Sequence, residues 1–172
     1  MSEVRNAFQR FHDAGKEIIV YSKFGLGNGS TYLLSMADEI YVHEMAGVDL
    51  RGLGMEITFF RGLLDTLSIV PEVWRVSPYK TAGDVYLNST MSDAMHENYS
   101  QLLDGVYEEF VRGISEGKIW EDEKTRAVID AGPYMLTDDA KEAGLITDTM
   151  YPDEFDDYVN DLNDGKVNII KP

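Results

Sequence analysis

The feature that most constrains the fold is a regular exchange of strand-like and helix-like stretches over the first half of the chain. Val4, Ala7, Phe8 and Phe11 recur at helical spacing after a Ser2-Glu3 start, and Gly15 supplies a stop. EIIVYS (residues 17–22) reads as a buried strand, GLGNGS (25–30) as a glycine-rich turn and TYLLSMA (31–37) as a short helix. EIYV (39–42) is the next strand. Ile57, Phe60, Leu64 and Leu67 mark another helix, and residues 70–76 are predicted to return as a strand. These apolar strands are too continuous to be half exposed. The pattern therefore predicts an α/β fold whose strands are mostly parallel and covered by helices on both faces.

The second half is predominantly helical. Ser92 is a candidate N-cap with Asp93 in the first turn, and an apolar stripe follows from Met95 through Leu102, Val106 and Phe110 to Ile114. A stripe of that kind is core or a subunit contact, not a cofactor box. Residues 121–130 are predicted to form a shorter helix. Thr137 is expected to cap another that stops at Gly144, with Leu145 making the hydrophobic contact of a Schellman ending. Phe155, Tyr158, Val159 and Leu162 mark a terminal helix. No repeat, low-complexity tract or linker divides residues 1–172, so a single domain is expected.

Composition excludes several functions. Acidic residues outnumber basic ones 31 to 15, and a net charge of −16 argues against binding nucleic acid or anionic lipid through a broad basic surface. The chain has no cysteine, which removes thiol catalysis, disulfides and cysteine-ligated metals. No apolar run approaches the ~18 residues a membrane span requires, so this chain by itself is expected to be soluble.

Motifs exclude others. His43-Glu44 and His96-Glu97 each begin like a zinc-protease helix, but neither has a histidine three residues after its glutamate. His12 completes the histidine count, and with no G-x-S-x-G elbow a Ser-His-Asp triad has nothing to hold its serine. Gly25 and Gly27 fit the first two glycines of a dinucleotide-binding turn, but Ser30 occupies the third position and no acidic partner follows at the right distance. The simpler reading is a tight strand-to-helix turn. No cofactor is expected.

One stretch stands apart, RVSPYKTAGDVYLNSTMS at residues 75–92. It places Lys80 between Pro78-Tyr79 and the small residues Thr81, Ala82 and Gly83. A lone lysine in a loop is ordinarily a solvated charge. With this stretch, SMADEIYVHEMAGVDLRGLGMEITFFRGLLDTLSI (35–69) and, more loosely, LTDDAKEAGLITD (136–148), the chain resembles the protease IV family, also called signal peptide peptidase A. The similarity is to the amino-terminal repeat of the long, two-repeat members.

The resemblance implies a Clp-protease/crotonase-like fold and a serine peptidase that uses a lysine general base. It also implies a parent protein anchored in the inner (cytoplasmic) membrane, acting at the extracytoplasmic face on signal peptides and other peptides. In long members the lysine lies in the first repeat within V-x-x-Y-K-[ST]-A, which residues 76–82 match, so the base falls on Lys80. Such a lysine must be neutral, whereas a solvated one has a pKa of ~10.4, so burial must lower it. Tyr79 and Thr81 are the neighbours placed to orient the amine. The nucleophile belongs to the second repeat, at a glycine-rich turn leading into a helix. The matching position here is Asn28, followed by Gly29, and Asn28 cannot serve. Ser30 and Ser35 lie nearby but do not occupy that position.

The chain also opens on a helix where the family's first repeat has already passed its anchor and first strands, so an N-terminal truncation is expected. Its serine is then expected from a second repeat or another subunit, with homo-oligomerisation through an open sheet edge. The resemblance leaves room for a non-catalytic scaffold repeat, supported by Asn28. A nucleotide- or acyl-CoA-binding α/β domain ranks last.

Overall fold

A computed structural model describes residues 1–162, and within it the chain forms two compact units. One comprises Met1–Gly52 together with the chain from Phe110 onward, and the other is Leu53–Glu109.

The first unit opens with α1 (Ser2–Asp13), which ends where Gly15 adopts a φ of +69°. There follow β1 (Ile19–Ser22), β2 (Leu26–Gly27), α2 (Asn28–Leu34), β3 (Glu39–Val42) and β4 (Val48–Asp49). β1 pairs with β3 in parallel, Tyr21 opposite Tyr41. Tyr21 stacks on Phe155 at 4.9 Å and Tyr41 meets Tyr158 edge-on at 5.5 Å, so the terminal helix covers the face that carries both tyrosines. Strand alternation sends Ile40 and Val42 to the opposite face, where both are fully buried. Both faces of β3 are thus covered, which is why EIYV reads as a continuous apolar run.

The second unit contains α3 (Arg61–Thr66), a 3-10 turn (Thr81–Gly83) and α4 (Asp84–Leu87). α5 (Asp93–Lys118) starts in this unit and ends in the first. Its N-cap is Ser92, whose Oγ accepts the Met95 N–H at 3.2 Å, as the sequence predicts. The apolar stripe on α5 divides in two. Met95, Phe110, Val111 and Ile114 are buried, but Leu102 and Val106 are 54% and 50% exposed.

α6 (Asp122–Ala131), α7 (Thr137–Glu142), β5 (Asp148–Thr149) and α8 (Pro152–Leu162) complete the first unit. β5 extends the parallel sheet on the far side of β3, giving the order β1-β3-β5, and β2 pairs with β4 in parallel as a separate ribbon. α7 ends in the expected Schellman geometry: Gly144 has φ +78°, Leu145 N–H reaches the Ala140 carbonyl at 2.9 Å, and the Leu145 side chain is buried.

Two expectations are corrected. Residues 70–76 form no strand: Pro71 removes a ladder donor, and Trp74 and Val76 are 95% and 90% exposed rather than packed in a sheet. Lys80 therefore follows an irregular segment. Thr137 is not the cap of α7; the extended residue at that position is Leu136, and Thr137 Oγ1 instead points at the Glu44 carbonyl, 3.5 Å away.

Candidate functional site

The residues singled out by sequence fall into two groups, one in each compact unit.

The first group lies on the glycine-rich turn. Gly25 has φ +83°, and a Cβ there would sit 2.1 Å from the Gly47 carbonyl oxygen, so only glycine fits where the turn crosses Gly47. Asn28 then begins α2, and its Oδ1 accepts the Arg51 N–H at 2.8 Å. The Asn28 side chain is therefore a structural tie between the helix start and the segment after β4. Gly29 follows within the first turn, with room for a Cβ only 3.1 Å from the Met1 methyl. Ser30 Oγ accepts the Gly27 N–H at 2.8 Å and donates to the Gly27 carbonyl at 3.0 Å, which commits it to capping. Ser35 is buried. Its Oγ accepts from Arg5 at 2.9 Å and donates to the Tyr32 carbonyl at 3.0 Å, so it is occupied in the interior. A shallow groove runs beside the turn, lined by Phe24, Leu26, Gly47, Arg51 and Met135 among others.

The second group surrounds Lys80. Its backbone N–H reaches the Ser77 carbonyl at 3.1 Å, and it is the residue that leads into the 3-10 turn. The lysine side chain is exposed, so the described residues do not enclose it. Thr81 is buried. Tyr79 is exposed, and its hydroxyl donates to Glu97 Oε2 at 2.8 Å; that hydrogen bond to the carboxylate, with the charge beside it, holds the phenol above its ordinary range. The phenol is thereby engaged with Glu97. The Tyr79 carbonyl accepts from Asn98 Nδ2 at 3.0 Å, which fixes the main chain immediately before Lys80 to α5.

Four residues after the lysine comes a carboxylate that sequence reasoning missed. Asp84 is fully buried, and its two oxygens accept from Arg75 Nη1 and from Ser92 Oγ, each at 2.5 Å. In a chain with 31 acidic residues an aspartate attracts no notice. The only signal was its place in TAGDVYL, a run otherwise small or apolar.

Among the described residues no group of three histidine, aspartate or glutamate side chains is placed to hold a metal ion. His43 lies edge-on against Tyr151 at 5.2 Å, and His96 Nδ1 is 3.4 Å from Ser100 Oγ. No helix in the described residues is long and apolar enough to cross a membrane.

Residues 10–166 match the profile of Peptidase family S49. The chain belongs to this family. Among S49-like relatives, it is 32% identical over 181 residues to Protease 4 of Haemophilus influenzae, covering 98% of this chain and 29% of that protein. It is 32% identical to the chloroplastic serine protease SPPA of Arabidopsis thaliana, over 90% of this chain and 22% of that protein. Protease 4 of Salmonella typhi matches at 26% identity, over 83% of this chain and 24% of that protein. The chain thus spans between about a fifth and a third of the length of the relatives it matches. Its mixed α/β architecture with parallel strands fits this membership.

Proposed function

We propose that this chain is the lysine-bearing part of a Ser–Lys peptidase that degrades signal peptides and other peptides at a membrane. Lys80 is the general base, and the nucleophilic serine comes from a second repeat or from another subunit. The observation that carries this reading is the Tyr79-Lys80-Thr81-Ala82 segment, held at Tyr79 by side chains of α5 while Lys80 is exposed, in a chain of the S49 family. The occupied hydroxyls of Ser30 and Ser35, together with Asn28 at the turn, support a nucleophile from elsewhere.

In the mechanism, neutral Lys80 Nζ takes the proton from the serine hydroxyl as Oγ attacks the peptide carbonyl. It then returns that proton to the departing amine, leaving an acyl-enzyme that water hydrolyses by the same route. The neutral amine requires a dry surrounding. Because Lys80 is exposed in this chain, the partner that brings the serine also supplies the cover, and the site is complete only on assembly.

A scaffold reading is favoured by one observation, the structural use of Asn28 Oδ1 to hold the Arg51 amide. The two readings separate on labelling with a serine-reactive fluorophosphonate, located by peptide mass spectrometry. Expected is no label on the isolated chain and one labelled serine in the complete, serine-containing protein, with that labelling lost in Lys80→Ala. Labelling of Ser30 or Ser35 here, dependent on Lys80, would show a complete site within the chain. Undiminished labelling and turnover in Lys80→Ala would leave the scaffold reading.

A further inference from the structure

We infer that Asp84 is the positioning residue for Lys80, acting through a buried clamp that closes the lysine segment on itself. The inference rests on the reading of Lys80 as the general base and names what holds that base in place. Asp84 lies four residues after Lys80, and its carboxylate is fully buried. Oδ1 receives Arg75, five residues before the lysine, and Oδ2 receives Ser92, the residue that caps α5. One carboxylate thus gathers the strand of chain entering the Lys80 loop, the turn leaving it and the start of the long helix.

The chemistry of the clamp makes it rigid. Both hydrogen bonds are charge-assisted, and a carboxylate taken wholly out of water is stable only while its donors stay in place. Ser92 Oγ is used twice, donating to Asp84 and accepting the Met95 amide, so any shift of the carboxylate is felt at the first turn of α5. That helix carries Asn98, whose side chain holds the Tyr79 carbonyl next to the lysine. Packing adds to the constraint: a Cβ on Gly83 would come within 2.6 Å of Val73 Cγ1, so the turn between Lys80 and Asp84 sits flush on the incoming segment. The main chain at Lys80 is therefore set from both sides, while the lysine itself is exposed among the described residues, where a serine delivered from outside can meet it.

A general base displaced by about 1 Å loses on the order of a hundredfold in rate without losing substrate affinity. In the complete, serine-containing protein, Asp84→Ala is therefore expected to lower kcat by roughly 10- to 100-fold with KM held within about twofold. Asp84→Asn keeps the shape and one acceptor and is expected to fall between. Both are assayed at a temperature where circular dichroism shows the protein folded, and Lys80→Met is run beside them. If Lys80→Met abolishes turnover while folded Asp84→Ala and Asp84→Asn keep full kcat, the positioning role is overturned and the base assignment stands. If Lys80→Met retains turnover, the base assignment fails and the positioning role fails with it. Should Asp84→Ala not fold, Asp84→Asn and Ser92→Ala carry the same comparison, and unchanged kcat in both overturns the inference.

Discussion

Gly117 of α5 lies so close to Ser35 that a Cβ on it would come within 2.4 Å of the serine Oγ and 2.7 Å of its carbonyl carbon. Four residues earlier, a Cβ on Gly113 would stand 2.1 Å from the Tyr32 ring. The two glycines form a smooth strip on which α2 and its C-cap rest.

Gly117→Ala sets two effects against each other. Alanine is favoured in a helix interior by ~1 kcal/mol, but forcing a methyl against a backbone carbonyl carbon that cannot swing aside costs typically ~1–3 kcal/mol. The clash is expected to win, giving a net loss of up to about 2 kcal/mol in urea denaturation. A stabilised variant would mean that α2 and α5 can part without penalty.

Arg5 threads the same junction. Its guanidinium donates to the Tyr32 carbonyl, to Ser35 Oγ and to the Gly113 carbonyl, and lies 4.7 Å from the Tyr32 ring centre. Arg5→Met keeps the stem but strands the acceptors, and is expected to cost about 2–4 kcal/mol. Arg5→Lys should recover only a part of this, since an ammonium cannot serve three acceptors in a fork. Equal stability of Arg5→Lys and the parent would contradict this assignment.

Lys118 gives a pH dependence of known sign. Burial lowers its amine from 10.5 to about 8, and Nζ donates to the Leu145 carbonyl at 3.2 Å. Between those two values the unfolded chain binds more protons than the folded one, so stability contributed by this group rises as pH increases across that window. Urea unfolding of the parent and of Lys118→Met is the check. The parent is expected to gain on the variant from pH ~8 upward, and a pH-independent difference would refute it.

Gly144→Ala tests the end of α7. The left-handed φ of +78° penalises any side chain by ~1–2 kcal/mol, and the new methyl would lie 3.1 Å from Trp120 Cζ2. A loss of about 1–2 kcal/mol in thermal or urea unfolding is expected. No loss would mean that the helix end relaxes out of its Schellman geometry.

Elements whose signal is local were legible in the sequence. β3 was readable because both its faces are buried, α5 because Ser92 caps it, and the end of α7 because only glycine tolerates the φ at residue 144. Residues 70–76 misled because valine, tryptophan and proline in an extended run look alike whether or not a partner strand exists. The two-residue strands β2, β4 and β5 were invisible, since they are defined by pairing partners far away in the chain. At the candidate site, Lys80 and Asn28 came from matching a family pattern. Asp84 and Arg5 did not, because what marks them is burial with matched donors and acceptors, a property of the packed molecule.

The discontinuity of the first unit sets an order of events on the ribosome. β3 acquires its outer neighbour only when Asp148 pairs beside Tyr41, more than a hundred residues later, whereas Leu53–Glu109 is finished well before that. Loop closure over that span must precede the contact that rewards it, which makes this step slow. During synthesis the nascent chain therefore carries an apolar strand with one side unsatisfied for the time taken to translate the more than one hundred residues between Tyr41 and Asp148. At about 5–20 residues per second that interval lasts several seconds or more, long enough to make the half-built sheet, rather than the finished protein, the species most exposed to aggregation and to chaperone capture.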